Sequence, residues 1–406
     1  MRAYVLVAMV IGLFLTSCAA PPPERPGVAE RTVNPSFVHG TDHGGIDRLA
    51  ATVVSDAQRY WAQAYPAAFG GPWHDLDGGF FSVDTAGTGS SPPCSSSASE
   101  VEGNAYYCQS VDAIAWDRTA LLPVLREHYG DAAVAVVLSH EIGHAVQQRA
   151  DLTGGEPMHL EATADCFAGS FMRWVSDDRA PHLRANPDQL DDALRAITVF
   201  RDPVGSGDEH GTAFDRVSAF QAGFTGGPGG CPDLRPSSLT EPVEPDPNAA
   251  LDAAMNTAGA ERFFGELVTA RGARWTAPRL GDCPNAPRPV SYCAAPPRVS
   301  TDREALEALR DGTGDQAVTT LVASRYAAAA LAQLGRPVTG AAVNCLTGAY
   351  TAEQADLSPG DLDEAVQVTL SPDAIPLDSR RSGPTTAFDR FAAFRSGALG
   401  GSSACT

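Results

Sequence analysis

Three residues in this chain have the types and spacing for metal-assisted hydrolysis: His140, Glu141 and His144, within Val136-Val137-Leu138-Ser139-His140-Glu141-Ile142-Gly143-His144-Ala145-Val146-Gln147-Gln148. On a helix, His140 and His144 stand one turn apart on the same face. Two neutral imidazoles so placed can hold one tetrahedral metal ion, usually Zn2+. Glu141 lies beside the first ligand, where its carboxylate can take a proton from water at the metal. The flanking residues favour the helix that this requires. Asp131 can cap it, and Ala132 to Leu138 run into the pair without Pro.

A third ligand is needed. The pattern with a third His is absent, because Gln147 stands where that pattern has Gly and Ala150 where it has His. Downstream comes Pro157-Met158-His159-Leu160-Glu161-Ala162-Thr163-Ala164-Asp165-Cys166-Phe167-Ala168-Gly169. Pro157 suits the first turn of a second helix. Glu161 and Asp165 then project from one face. The economical reading makes Glu161 the third ligand. Asp165 would accept a hydrogen bond from the non-ligating nitrogen of a zinc histidine and fix its tautomer. The reverse, Asp165 as ligand and Glu161 at the surface, stays open on spacing alone. His159 falls on a different face and reads as a surface histidine.

This combination resembles the bacterial predicted neutral zinc metallopeptidase family. The matching residues are His140-Glu141-x-x-His144-x-Val146-Gln147 and Glu161-x-x-x-Asp165-Cys166-Phe167-Ala168-Gly169, then Leu190-Asp191-Asp192-Ala193 and His210-Gly211-Thr212-x-x-x-Arg216, with Tyr106-Tyr107-Cys108 ahead of them. The resemblance covers roughly residues 45–230. It implies a zinc-dependent peptidase with Glu161 as the third ligand, and little about substrate.

The chain has 406 residues, room for two domains of ordinary size. It starts Met1-Arg2-Ala3, follows with an apolar run from Tyr4 to Leu15, and reaches Leu15-Thr16-Ser17-Cys18. The run is too short for a membrane-spanning helix and reads as a lipoprotein signal, residues 1–17, cut before a lipidated Cys18. Residues 18–40 then read as a Pro-rich tether. This places the expected protein on the extracytoplasmic side of the cell membrane, held by lipid. All 29 basic residues are arginine, and the net charge of −20 argues against nucleic acid and against electrostatic docking on anionic lipid.

The expected peptidase domain spans 41–232, and a Pro- and acid-rich linker spans 233–249. Residues 250–406 repeat the first domain. Thr212-Ala213-Phe214-Asp215-Arg216 recurs as Thr386-Ala387-Phe388-Asp389-Arg390, Leu190-Asp191-Asp192-Ala193 as Leu362-Asp363-Glu364-Ala365, and Tyr107-Cys108 as Tyr292-Cys293. The cysteines follow the same register. Beyond Cys18 they are Cys94, Cys108, Cys166 and Cys231, then Cys283, Cys293, Cys345 and Cys405. In an exported protein an even set reads as disulfides. The favoured pairs are Cys94–Cys108 and Cys283–Cys293 as local staples, with Cys166–Cys231 and Cys345–Cys405 tying the ligand helix to each domain's end.

The repeat serves as an internal control. His140, Glu141 and His144 correspond to Ser324, Arg325 and Ala328, Glu161 to Gly340, and Asp165 to Asn344. The second copy has therefore lost its zinc chemistry and could dock a protein partner, present substrate or shield the first. His210 corresponds to Pro384, so it vanishes with the ligands. It is a candidate for stabilising the oxyanion formed at a peptide carbonyl. Asp215 and Arg216 persist in both copies and read as a structural pair. The expected architecture is α+β, a mainly helical zincin-like domain with a small sheet, duplicated in tandem. Every assigned site residue lies in the first copy, so residues 36–240 alone are expected to hold the metal. A peptidase acting on peptide or protein substrates is the leading reading. A zinc-binding assembly module and a non-peptidase zinc hydrolase are the competing ones.

Overall fold

The computed structural model describes residues 27–87, 89–198, 211–235, 248–284, 288–354, 357–358, 360–371 and 386–405. Cys18 and His210, together with the expected signal peptide and most of the linker, lie outside these.

The fold is mixed α+β and mostly helical. In the first half come β1 (Val38–His39), α1 (Gly45–Phe69), β2 (Gly79–Val83), β3 (Ala105–Cys108), β4 (Ala113–Asp117), α2 (Leu121–Tyr129), α3 (Asp131–Arg149), α4 (Pro157–Ser176), α5 (Pro187–Ile197) and α6 (Ala213–Gly226). The second half holds α7 (Leu251–Ala254), α8 (Ala258–Ala270), β5 (Arg279–Leu280), β6 (Val290–Ala294), β7 (Pro297–Thr301), α9 (Arg303–Gly312), α10 (Asp315–Gln333), α11 (Gly340–Ala352), α12 (Asp361–Leu370) and α13 (Ala387–Gly400). From α1 and α8 onward, the two halves run through the same succession of elements. No helix among the described residues is long and apolar enough to cross a membrane.

The first sheet has the order β1-β2-β4-β3, with β1, β2 and β4 parallel and β3 antiparallel to β4 at the outer edge. The second has the order β5-β7-β6, with β6 antiparallel to β7. Asp117 connects the first sheet to the helices. Its carboxylate accepts the amides of Gly103, Thr119, Ala120 and Leu121, and so closes the turn that launches α2.

Folded structure begins earlier than the sequence suggests. Residues 27–40, read as tether, pack on the first half: Val28 is buried, Glu30 bonds the carbonyl of His182, and β1 pairs with β2. Proline marks an extended backbone as readily as a free linker, and sequence alone does not separate the two. Asp131 also differs from expectation. The N-cap of α3 is Gly130, at φ 77°, and Asp131 instead pairs with Arg126 of α2. The left-handed glycine lets α2 break sharply into α3 without strain.

Helices α1, α3, α4 and α6 form the body of the first half. α1 buries Leu49, Ala50, Val53, Val54, Ala57, Tyr60 and Trp61, a stripe at helical spacing, and sets Trp61 edge-on to Phe167 at 5.2 Å. Glycines set the crossings that matter. A Cβ on Gly143 would meet the Ala164 Cα at 3.0 Å, so α3 and α4 approach closely beside the candidate ligands. Gly169 and Gly223 lie against the backbones of Phe220 and Cys166, which brings α6 equally close to α4. In the second half, Gly348 and Gly397 lie in the same way against Phe394 and Cys345. All four favoured cysteine pairs are bonded: Cys94–Cys108, Cys166–Cys231, Cys283–Cys293 and Cys345–Cys405.

The halves share a core. Leu362, Val366, Leu370, Ala387, Phe391 and Phe394 of α12 and α13 belong to the same buried cluster as the first half, with Phe214 and Phe391 in edge contact at 5.6 Å. A second cluster, around Phe264, Leu321, Tyr326 and Leu346, belongs to the second half alone. A cut at residue 240 would therefore remove part of the core on which the first half packs, which bears against the sequence expectation for residues 36–240 alone. Cutting there exposes large apolar side chains worth about 1.5–3 kcal/mol each when buried. The fragment is expected to be largely insoluble or to unfold at much lower urea than the full chain. A fragment with full-length urea stability would contradict the shared core.

Candidate metal centre

Two helices build the site. α3 carries His140, Glu141 and His144, and α4 carries Glu161 and Asp165. Pro157 opens α4, as its fixed φ favours. The close approach at Gly143 brings the two sets together.

Three ligand atoms converge. His140 Nε2 and His144 Nε2 are 3.2 Å apart, His140 Nε2 is 3.1 Å from one Glu161 oxygen, and His144 Nε2 is 3.4 Å from the other. These three residues form one of the two groups of potential metal ligands among the described residues. The far nitrogens are also engaged. His140 Nδ1 lies 2.8 Å from Asp165 Oδ1, and His144 Nδ1 lies 2.9 Å from Gln147 Oε1. Both partners accept, so each Nδ1 donates and each Nε2 is left to face the other two groups. Lone pairs of two imidazoles and a carboxylate at these separations repel one another unless a cation or a proton lies among them. A tetrahedral zinc with bonds of about 2.0–2.2 Å would set its ligand atoms about 3.3–3.6 Å apart. The donor set and its spacing fit zinc.

The supports run outward from the ligands. Gln147 Nε2 donates to the Leu160 carbonyl at 2.5 Å, tying the His144 ring to α4. Asp165 is buried and gripped by Arg216 of α6, with Nε 2.8 Å from Oδ2 and Nη2 2.9 Å from Oδ1. The sequence reading took Asp215 and Arg216 as a structural pair; Arg216 reaches Asp165, and Asp215 meets Thr212, which caps α6. Arg390, the counterpart of Arg216, donates to the carbonyls of Thr369 and Leu370. Keeping an arginine at both places hid the difference in what each one holds. Gln147 and Arg216 both fell within the family-like motifs, which was the available signal for them.

Glu141 is buried, and the backbone of Tyr107 on β3 draws its carboxyl down. Burial lifts the Glu141 carboxyl to about 7, against the pull of His140. Burial would push His140 down, but Asp165 and Glu161 outweigh it and hold it up at about 10. Burial likewise opposes Glu161, which His140 and His144 bring down to about 2. Asp165 stays well below the usual carboxylate range despite its burial, held there by Arg216 and His140. His144 is lowered by burial and by the charge of His140.

A pH dependence follows. With no cation present, His140 keeps a proton on Nε2 up to about pH 10. Zinc must expel that proton, so lower pH favours the proton and weakens the metal. Zinc affinity should rise about tenfold per unit from pH 7 to pH 9, as measured by competition with a chromophoric chelator. A flat profile would mean that His140 is already neutral.

The other acidic group, Asp315, Asp361 and Glu364, lies in the second half. Glu364 accepts the Gln316 amide at 2.9 Å and lies over Gly314, so it caps α10. Burial and then Asp361 push Glu364 up to about 8. At the position matching Glu141, Arg325 is buried and donates to Val290 on β6 and to Ser324. A buried guanidinium opposes a divalent cation there.

No protein-family model, no curated protein and no solved structure matches this chain.

Proposed function

We propose that the chain is a zinc-dependent peptidase, exported and lipid-anchored at Cys18, whose second half is a degenerate copy of the first. The observation that carries the reading is the convergence of His140, His144 and Glu161, with Glu141 buried beside them. Zinc held there would supply Lewis acidity toward a peptide carbonyl and toward water.

The chain's own residues supply the rest. Asp165 and Gln147 fix both histidine tautomers. Glu141 takes the proton of the attacking water and delivers it to the leaving amine, and a carboxyl lifted to about 7 suits both steps near neutral pH. β3 is the outer strand of its sheet and reaches Glu141 through Tyr107, so its edge offers an extended peptide a strand to pair with. His210 stays a candidate oxyanion donor. Duplication is supported by the matching element order, the four cysteine pairs and the equivalent glycine crossings.

The test is release of new amino termini from a reduced, unfolded protein by residues 27–406, with and without chelator. Activity abolished by chelation and restored by one equivalent of zinc is the expected result. Tight zinc binding with no cleavage of any unfolded protein would favour the binding module. Cleavage of small esters or amides but not peptides would favour the other hydrolase.

A further inference from the structure

We propose that the second half positions the metal centre of the first, and that Asp363 is the residue through which it does so. The inference rests on the zinc site proposed above. Asp363 lies on α12 and is buried. Its Oδ1 accepts the amide of Ala213, the first residue of α6, at 2.6 Å. That amide has no partner inside its own helix, and the carboxylate meets the positive end of the 14-residue helix dipole. Three residues on, Arg216 leaves the same first turn and grips both oxygens of Asp165. Asp165 in turn holds His140 Nδ1 at 2.8 Å. A continuous polar chain therefore runs from α12 through the start of α6 to a metal ligand. The first turn of α6 joins Ala213 to Arg216, and the remaining links are hydrogen bonds of 2.6–2.9 Å.

The molecule contains its own control. On α5, Asp191 makes the reciprocal contact, accepting the amides of Ala387 at 2.6 Å and Phe388 at 3.1 Å at the start of α13. The two caps are chemically alike, and both cross between halves. They differ in what the capped helix carries. The arginine of α13, Arg390, donates to the carbonyls of Thr369, Leu370 and Ser371, at the end of α12 and just after it. A cap that merely stabilises the fold would act alike at both places. A cap that positions the site acts only at Asp363.

The experiment compares Asp363→Ala, Asp363→Asn and Asp191→Ala in the full chain. Two quantities are read: zinc affinity, by competition with a chromophoric chelator, and the urea midpoint. Both alanine variants should lose stability to a similar degree. Asp363→Ala should also weaken zinc about 3–30-fold, whereas Asp191→Ala leaves it within about twofold. Asp363→Asn keeps the acceptor and loses the charge, so it should fall between wild type and Asp363→Ala. It also serves if the alanine variant does not fold. Equal zinc affinity across the three variants and wild type, or equal loss in Asp363→Ala and Asp191→Ala, overturns the proposal. A wild-type chain that binds no zinc overturns the metal centre itself, a separate outcome in the same titration.

Discussion

Glu141→Gln is expected to keep its fold and its zinc and to lose peptide hydrolysis by about 10³-fold or more. The side chain is buried beside His140 and near the backbone of Tyr107, which the amide oxygen of Gln can also face. Shape and hydrogen bonding are thus largely preserved, and what disappears is the carboxylate that takes and returns a proton. Without it the attacking water lacks its base and the leaving amine lacks its acid. Removing a buried carboxylate lifted to about 7 should not cost stability, since its burial in charged form is unfavourable. Hydrolysis of an unfolded protein, measured beside zinc content, decides it. Near-wild-type turnover in a zinc-loaded Glu141→Gln protein would remove Glu141 from the mechanism.

Glu161→Ala should abolish stoichiometric zinc binding, because it deletes one of the three proposed ligands. Asp165→Asn should weaken zinc about 10–100-fold, because it keeps a neutral acceptor between His140 Nδ1 and Arg216 but loses the carboxylate charge. The milder Asn change is the one to use. Asp165→Ala would strand the buried Arg216, a defect of about 3–5 kcal/mol that would confuse folding with binding. Zinc titration of both variants gives the ranking. If Asp165→Asn loses zinc and Glu161→Ala retains it, the ligand is Asp165. The geometry opposes that outcome, since Asp165 faces Nδ1 of His140 while Glu161 faces Nε2 of both histidines.

Features that local periodicity or fixed spacing controls were legible in the sequence. These include α3, the Pro157 start of α4, the shared face of His140 and His144, and the mixed α+β class. The four cysteine pairs were legible too, because each half offers the same short and long separations. Features set by helix crossings were not legible. Arg216 reaches Asp165 only because Gly169 and Gly223 let α6 lie against α4. Asp363 reaches Ala213 only because α12 packs on α6 in a core that both halves share. No spacing rule connects positions 150 residues apart. The segment 27–40 was misassigned because its order depends on β2 and the His182 loop, not on its own composition.

The most direct test of the centre is X-ray absorption at the zinc edge, on protein loaded with one equivalent. The predicted result is four nitrogen and oxygen ligands at about 2.0–2.1 Å, two of them imidazole, with no sulfur. A sulfur shell at about 2.3 Å, or a shell of oxygens without imidazole, would place the metal elsewhere and contradict the account.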